Sequence, residues 1–119
     1  MAVKDVVGRY GEDLVEAHLR AAGWSVLDRN WRCRAGELDL VARDGEELVA
    51  VEVKTRRSQR YGSPAEAVTA VKLARLRRLL ALWLAEHDEH ARAVRVDVVC
   101  VVLPRTGAPR LEHLVGVTP

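Results

Sequence analysis

The chain has 119 residues, of which 49% are hydrophobic and 30% charged, with a formal net charge of +2. That length suits one domain, residues 1–119 with its packed part at about 3–117, and the composition excludes wholesale disorder. The longest apolar runs, Leu79–Ala85 and Val98–Leu103, fall far short of the roughly 18–20 residues that cross a bilayer. Met1–Asp5 lacks the basic-then-apolar plan of a secretory signal, so a cytoplasmic protein with no membrane partner is expected. Cys33 and Cys100 are far apart and form no CxxC, which fits reduced thiols better than a zinc site.

Residues 3–22 read as a helix, with Val7, Tyr10, Leu14, Ala17 and Ala21 on one face. Gly8, Gly11, Val15, Leu19 and Ala22 widen that face, and Gly23 ends the helix. Glu12 falls on the shoulder of the apolar face, where a carboxylate can reach along the buried surface to a cleft. Trp24–Trp31 reads as a strand with a basic loop after it. Glu37–Ala42 and Leu48–Lys54 read as two more strands, joined by a hairpin centred on Asp44-Gly45. Ser63-Pro64-Ala65-Glu66 reads as a capping box, so a second helix is expected from there to about Glu86, with Val68, Val71, Leu76, Leu79, Leu80 and Trp83 on its apolar side. Val94–Leu103, the most hydrophobic strand, is expected to be central. Pro104–Pro109 is a turn, and Leu111–Val117 a weaker last strand. The order is α-β-β-β-α-β-β, an α/β fold with a mixed sheet flanked by helices.

Centring a two-residue turn on Asp44-Gly45 sets Arg43 opposite Glu46, Asp39 opposite Ala50 and Glu37 opposite Glu52. Side chains alternate along strands, so Glu37, Asp39, Glu52 and Lys54 would share one face, with Val49, Val51 and Val53 on the other. Asp39 and Glu52 become diagonal neighbours, roughly 7–8 Å apart, within reach of one ion. Crowded carboxylates repel and desolvate poorly unless a cation or a lysine joins them. A hard divalent ion such as Mg²⁺ (or Mn²⁺), held by one or two carboxylates and water, would do so and would polarise a phosphate. Glu52 and Lys54 by themselves would equally suit a charged edge strand.

From Lys54 to Arg78 the chain carries a charge of +7, and the remainder −5. Such an asymmetry fits either a phosphate-contacting surface or a solvated helix face and loop. Arg56, Arg57 and Arg60 follow the lysine strand, and Lys72, Arg75 and Arg78 recur every three residues on the second helix. These six residues could grip phosphates, and nothing in the chain reads as a recognition helix or finger. Asp97, inside an apolar strand, reads as a structural partner for an arginine. The four histidines suggest no ligand set, and the tryptophans read as core.

Together these residues resemble the PD-(D/E)XK nuclease superfamily, which includes restriction enzymes and Holliday-junction resolvases. More closely, the chain looks like the YraN-like bacterial family. The resemblance runs from about Gly8 to Val102 and rests on Gly11-Glu12, Gly36–Val41, Val51–Arg56, Gly62–Val68 and Val96–Val99. It implies that Asp39, Glu52 and the backbone carbonyl of Val53 are metal ligands, that Lys54 serves the attacking water, and that Glu12 is the first-helix carboxylate of resolvase-like members. Leu38 departs from the superfamily's proline. The reading this supports is a metal-dependent endonuclease acting on DNA, with branched or damaged structures among the candidates; resolvase-like relatives act as homodimers. The alternative is a nucleic-acid-binding accessory protein on the same fold with little or no catalysis.

Overall fold

The structure is a computed structural model that describes residues 3–57 and 68–118. Helix α1 (Val3–Ala21) is followed by strands β1 (Ser25–Cys33), β2 (Gly36–Asp44) and β3 (Glu47–Arg56). Helix α2 (Ala70–Glu86), β4 (Ala93–Val102) and β5 (Arg110–Leu114) complete the expected order. The five strands form one mixed sheet in the order β1-β2-β3-β4-β5. Its pairs are antiparallel except β3 with β4, which run parallel with α2 as their crossover. β3, not β4, therefore occupies the middle. β4 is still interior, and its residues Val96–Val102 are buried.

The two helices lie on opposite faces. Leu38, Val41, Leu48, Ala50 and Val96 pack against Leu73, Leu76, Leu79, Leu80 and Trp83 of α2. Leu40, Ala42, Val49, Val51, Val99 and Val101 pack against Val15 and Leu19 of α1. The buried stripe of α1 is thus centred on Gly11, Val15 and Leu19. Tyr10 is 46% exposed, and Ala17 and Ala21 also face solvent. The correction follows from size: glycine lets the helix approach the sheet closely, which a stripe centred on Tyr10 would prevent. A β-carbon at Gly11 would overlap Thr55 Oγ1 and stand 3.1 Å from Thr55 Cβ. Gly23, at φ +89°, ends α1 as expected.

Helix α2 begins later than its sequence suggests. Thr69 is its N-cap, with extended backbone and a hydroxyl that accepts from the Lys72 N–H at 3.1 Å. Val68 and Thr69 are non-helical, so the helix does not run on unbroken from Ser63. The capping box at Ser63–Glu66 and residues Arg60, Tyr61 and Gly62 lie outside the described residues. Val71 is 75% exposed rather than part of the apolar side.

Asp97 has the arginine partner its burial demanded. Its carboxylate is fully buried and accepts from Arg95 Nε at 3.0 Å, Gly116 N at 2.9 Å and His113 Nε2 at 2.8 Å. Arg95 also reaches Asp44 at 2.9 Å and Glu47, and lies over the Trp24 ring. His113 in turn meets His18 of α1 at 3.2 Å, so two of the scattered histidines do come together. This cluster ties α1, β4, β5 and the β2–β3 hairpin at one end of the sheet.

Burial would raise the Asp97 pKa, but His113, Arg95 and the Gly116 N–H together hold it below the usual carboxylate value. A depressed folded-state pKa contributes stability that is complete above about pH 3.9 and is lost as pH falls through the lower folded value. Acid unfolding followed by circular dichroism should therefore steepen below that point in the wild type and flatten in Asp97→Asn. Gly11→Ala should lower the urea midpoint. The overlap with Thr55 costs about 1–3 kcal/mol, against about 1 kcal/mol that alanine gains over glycine in a helix. Adding Thr55→Ala should restore part of the loss; an unchanged midpoint would mean that α1 stands further from β3.

Candidate active site

The β2–β3 hairpin turns on Gly45-Glu46, with Asp44 paired to Glu47 and Leu40 to Val51. Gly45, at φ +61°, takes the first central position, as a type II′ turn requires. The expected register is therefore corrected by two residues. Parity is kept, but Asp39 comes level with Glu52 instead of with Ala50. One step beyond the last ladder pair, Asp39 Oδ2 accepts from the Val53 N–H at 2.9 Å. The side chain here takes the place of a backbone acceptor, and it lies directly beside Glu52.

A second correction concerns Glu37. Leu38 and Val41 pack under α2, whereas Leu40 and Ala42 pack under α1. Alternation in β2 therefore breaks between Leu38 and Leu40. Beyond the break Glu37 leaves the face shared by Asp39, Glu52 and Lys54. It pairs with Arg32 at 3.3 Å and lines a groove on the α1 side with Gly8, Arg9, Glu12 and Asn30.

What remains is a cleft of about 590 Å³ at the C-terminal end of β3, lined by Val7, Gly8, Glu12, Asp39, Glu52, Val53, Lys54, Thr55, Arg56 and Arg57. All four side chains expected to carry chemistry, Glu12, Asp39, Glu52 and Lys54, meet there. Val53, whose carbonyl was expected to be a ligand, lines it too. Glu12 stands at the rim, where its side chain, 15% exposed, accepts from Arg29 Nη2 at 3.4 Å and Asn30 Nδ2 at 3.2 Å. Glu52 is 13% exposed and pairs with Lys72 Nζ at 3.5 Å.

Electrostatics mark Asp39 as the unusual group. Burial, a hydrogen bond to Glu52 and the charges of Glu52 and Glu12 push its carboxyl up to about 8, with only the Val53 N–H opposing. Lys54 is displaced the other way: burial and the adjacent Lys72 lower its pKa, against the pull of Glu52. Two crowded acids beside two crowded ammoniums form a strongly polarised site.

Among the described residues no three His, Cys, Asp or Glu side chains converge as a ready-made ligand cage. Mg²⁺ does not need one, since it is commonly held by one or two carboxylates with water completing the octahedron. Asp39 and Glu52 are hard oxygen donors already in mutual contact, so the residues present fit such an ion.

Of the residues expected to contact phosphate, Arg56 and Arg57 line the cleft, and Lys72 turns inward to Glu52. Arg75 and Arg78 instead line a second groove with Arg34, Ala35, Val71 and Ala74. None of these three arginines has a carboxylate partner among the described residues, whereas Arg20, Arg29, Arg32, Arg43, Arg92 and Arg95 each have one. Sequence reasoning missed Arg29, Asn30, Arg34 and the inward turn of Lys72. Asn30 alone carried a signal, as a poor strand former inside a strand.

Comparison with known proteins supplies the lineage. Residues 11–101 match the model of the family described as "Uncharacterised protein family UPF0102". A UPF0102 protein of Beutenbergia cavernae is 64% identical over 117 residues, covering 98% of this chain and 99% of that protein. One of Frankia casuarinae is 59% identical over 116 residues, covering 98% of each, and one of Streptomyces griseus is 53% identical over 119 residues, covering 99% and 100%. The match spans the Glu12 helix, the Asp39 and Glu52–Lys54 strands and the Asp97 strand. The chain therefore belongs to the UPF0102 family, to which its YraN-like motifs pointed.

Proposed function

We propose that this protein is a metal-dependent endonuclease that hydrolyses phosphodiester bonds in DNA. The observation that carries this reading is the pair Asp39 and Glu52. They lie in mutual contact at the floor of an open cleft, with Lys54 beside them and Arg56 and Arg57 at its wall. A purely structural acid would be neutralised by fixed donors, as Asp97 is. Asp39 has one backbone N–H and an acidic neighbour. The resemblance to the PD-(D/E)XK superfamily supports the same assignment.

Asp39, Glu52 and the Val53 carbonyl would hold Mg²⁺ or Mn²⁺, which supplies polarisation of the phosphate and a lowered pKa for water when bound. Lys54, whose ammonium loses its proton more readily than usual, orients the attacking water and meets the charge that develops on the phosphate. The water oxygen bonds to phosphorus and passes a proton to the surrounding solvent, the P–O ester bond breaks, and the departing oxygen takes a proton from solvent. Glu12 faces the same space from the rim, where it orients water. Arg56, Arg57, Arg75 and Arg78 contact the sugar-phosphate backbone, which favours recognition by shape over base sequence. On a four-way junction two copies would act, one on each strand cut.

One observation favours a second reading, an accessory nucleic-acid-binding protein with little catalysis. Lys72 already neutralises Glu52 at 3.5 Å without any ion. The two readings separate in one assay with Mg²⁺ or Mn²⁺ and labelled linear duplex, single strand, flap, fork, four-way junction and RNA. The nuclease reading expects cleavage of at least one substrate, reduced about 10²-fold or more in Lys54→Ala. Shape-selective binding with no cleavage by the wild type would favour the second reading. Calorimetry with Mn²⁺ tests the metal: binding should vanish in Asp39→Ala and Glu52→Ala. It should tighten several-fold in Lys72→Met, which removes the ammonium competing for Glu52. Equal binding by all four proteins would sink the metal site.

A further inference from the structure

Asn30 is the only described non-glycine residue with positive φ, at +55°, and it sits in the interior of β1. Asparagine tolerates this region better than most residues, but it still marks local strain, and such strain gathers at working sites. Its neighbours show what the conformation does. Arg29 points to α1, where it meets Glu12, Asp13 and Glu16. Trp31, two residues on, packs instead with the α2 core. Asp28 also faces α2, accepting from the Trp83 Nε1–H at 2.8 Å. A regular strand sends residues two apart to the same face, so β1 changes phase at Asn30.

The flanking ladder pairs are Arg29 with Leu40 and Trp31 with Leu38, which sets Asn30 level with Asp39. Both strands therefore lose their alternation at one level, and that level holds the carboxyl at the floor of the cleft. The kink also turns the Asn30 amide outward, so that Nδ2 donates to Glu12 Oε1 at 3.2 Å. Arg29 reaches the same oxygen at 3.4 Å. A carboxylate on a helix near the N-terminus of the chain is thereby fixed from the sheet by two donors. Glu12 itself lines both the Asp39–Glu52 cleft and the neighbouring groove that holds Asn30.

We infer that Asn30 is a positioning residue for the proposed reaction: its left-handed backbone sets the paired kink, and its side-chain amide holds the Glu12 carboxylate at the rim of the Asp39–Glu52 cleft. The inference rests on the nuclease reading and assigns a task within it to a residue outside the superfamily motif.

Asn30→Gly isolates the side chain, because glycine adopts the same positive φ without strain and lacks only the amide. The expected result is near wild-type thermal stability, an unchanged KM for the cleaved DNA and a kcat reduced about 10- to 100-fold, the size of loss that a slight misplacement of a positioning group causes. In the double variant Glu12→Ala/Asn30→Gly, kcat should be no lower than in Glu12→Ala alone, because Asn30 acts through Glu12. Asn30→Ala should show the same kcat loss and, in addition, lower stability. An Asn30→Gly protein with wild-type kcat would overturn the inference, leaving Asn30 a backbone role only, as would a fully additive double variant. Failure of the underlying reading looks different: there the wild type itself neither takes up Mn²⁺ nor cleaves any substrate, and the inference falls with it.

Discussion

Two adjacent strands break step at the same level, and the polar end of the molecule is arranged around that break. On β1 the phase changes at Asn30, and on β2 it changes between Leu38 and Leu40. An unbroken pleat would put Leu38 beside Leu40 under α1 and would crowd Glu37, Asp39 and Glu52 on one face. The break instead sends Leu38 into the core beneath α2 and Glu37 out to Arg32. It leaves two carboxyls at the floor of the cleft rather than three. It also faces Asn30 and Arg29 toward Glu12, so α1 and the sheet contribute to one site.

Two aspartates, Asp97 fully buried and Asp39 half-buried at the cleft, are driven apart by their surroundings. Asp97 accepts from Arg95, His113 and the Gly116 N–H, which hold it ionised. Asp39 accepts one backbone N–H and faces Glu52, and its carboxyl is pushed up to about 8. Buried charge is tolerated when it is paired and fully hydrogen-bonded, and otherwise neutralises by taking a proton. Asp97 is an example of the first and braces four elements at one end of the sheet. Asp39 is an example of the second: burial and the neighbouring Glu52 raise its pKa, and such perturbed acids point to function.

Close approach of α1 to β3 depends on Gly11, because a side chain there would meet Thr55, the residue after Lys54. Glycine thus sets the depth at which Glu12, the next residue, overlooks the cleft. On the other face, Lys72 in the first turn of α2 reaches Glu52. The site is closed by helices from both sides of the sheet while its mouth stays open between them, lined by Arg56 and Arg57.

The sequence alone determined the element order, the apolar face of β3, the gathering of Asp39, Glu52 and Lys54 on one face, and the need of Asp97 for a cation. Those follow from local rules: periodicity of two or 3.6, turn chemistry, and the cost of burying charge. It also carried the family, since the motifs lie in order along the chain. Tertiary structure decided the rest. The turn at Gly45-Glu46 moved the register by two residues, because Asp-Gly-Glu offers two adjacent ways to close a hairpin and local sequence does not choose between them. Packing of Leu38 under α2 decided that Glu37 would leave the site. The space needed by Thr55 decided that α1 would bury Gly11 rather than Tyr10. Pairing of Lys72 with Glu52 and of His18 with His113 joins residues 20 and 95 positions apart. Such contacts depend on how whole elements stack, and no pattern within one element encodes them.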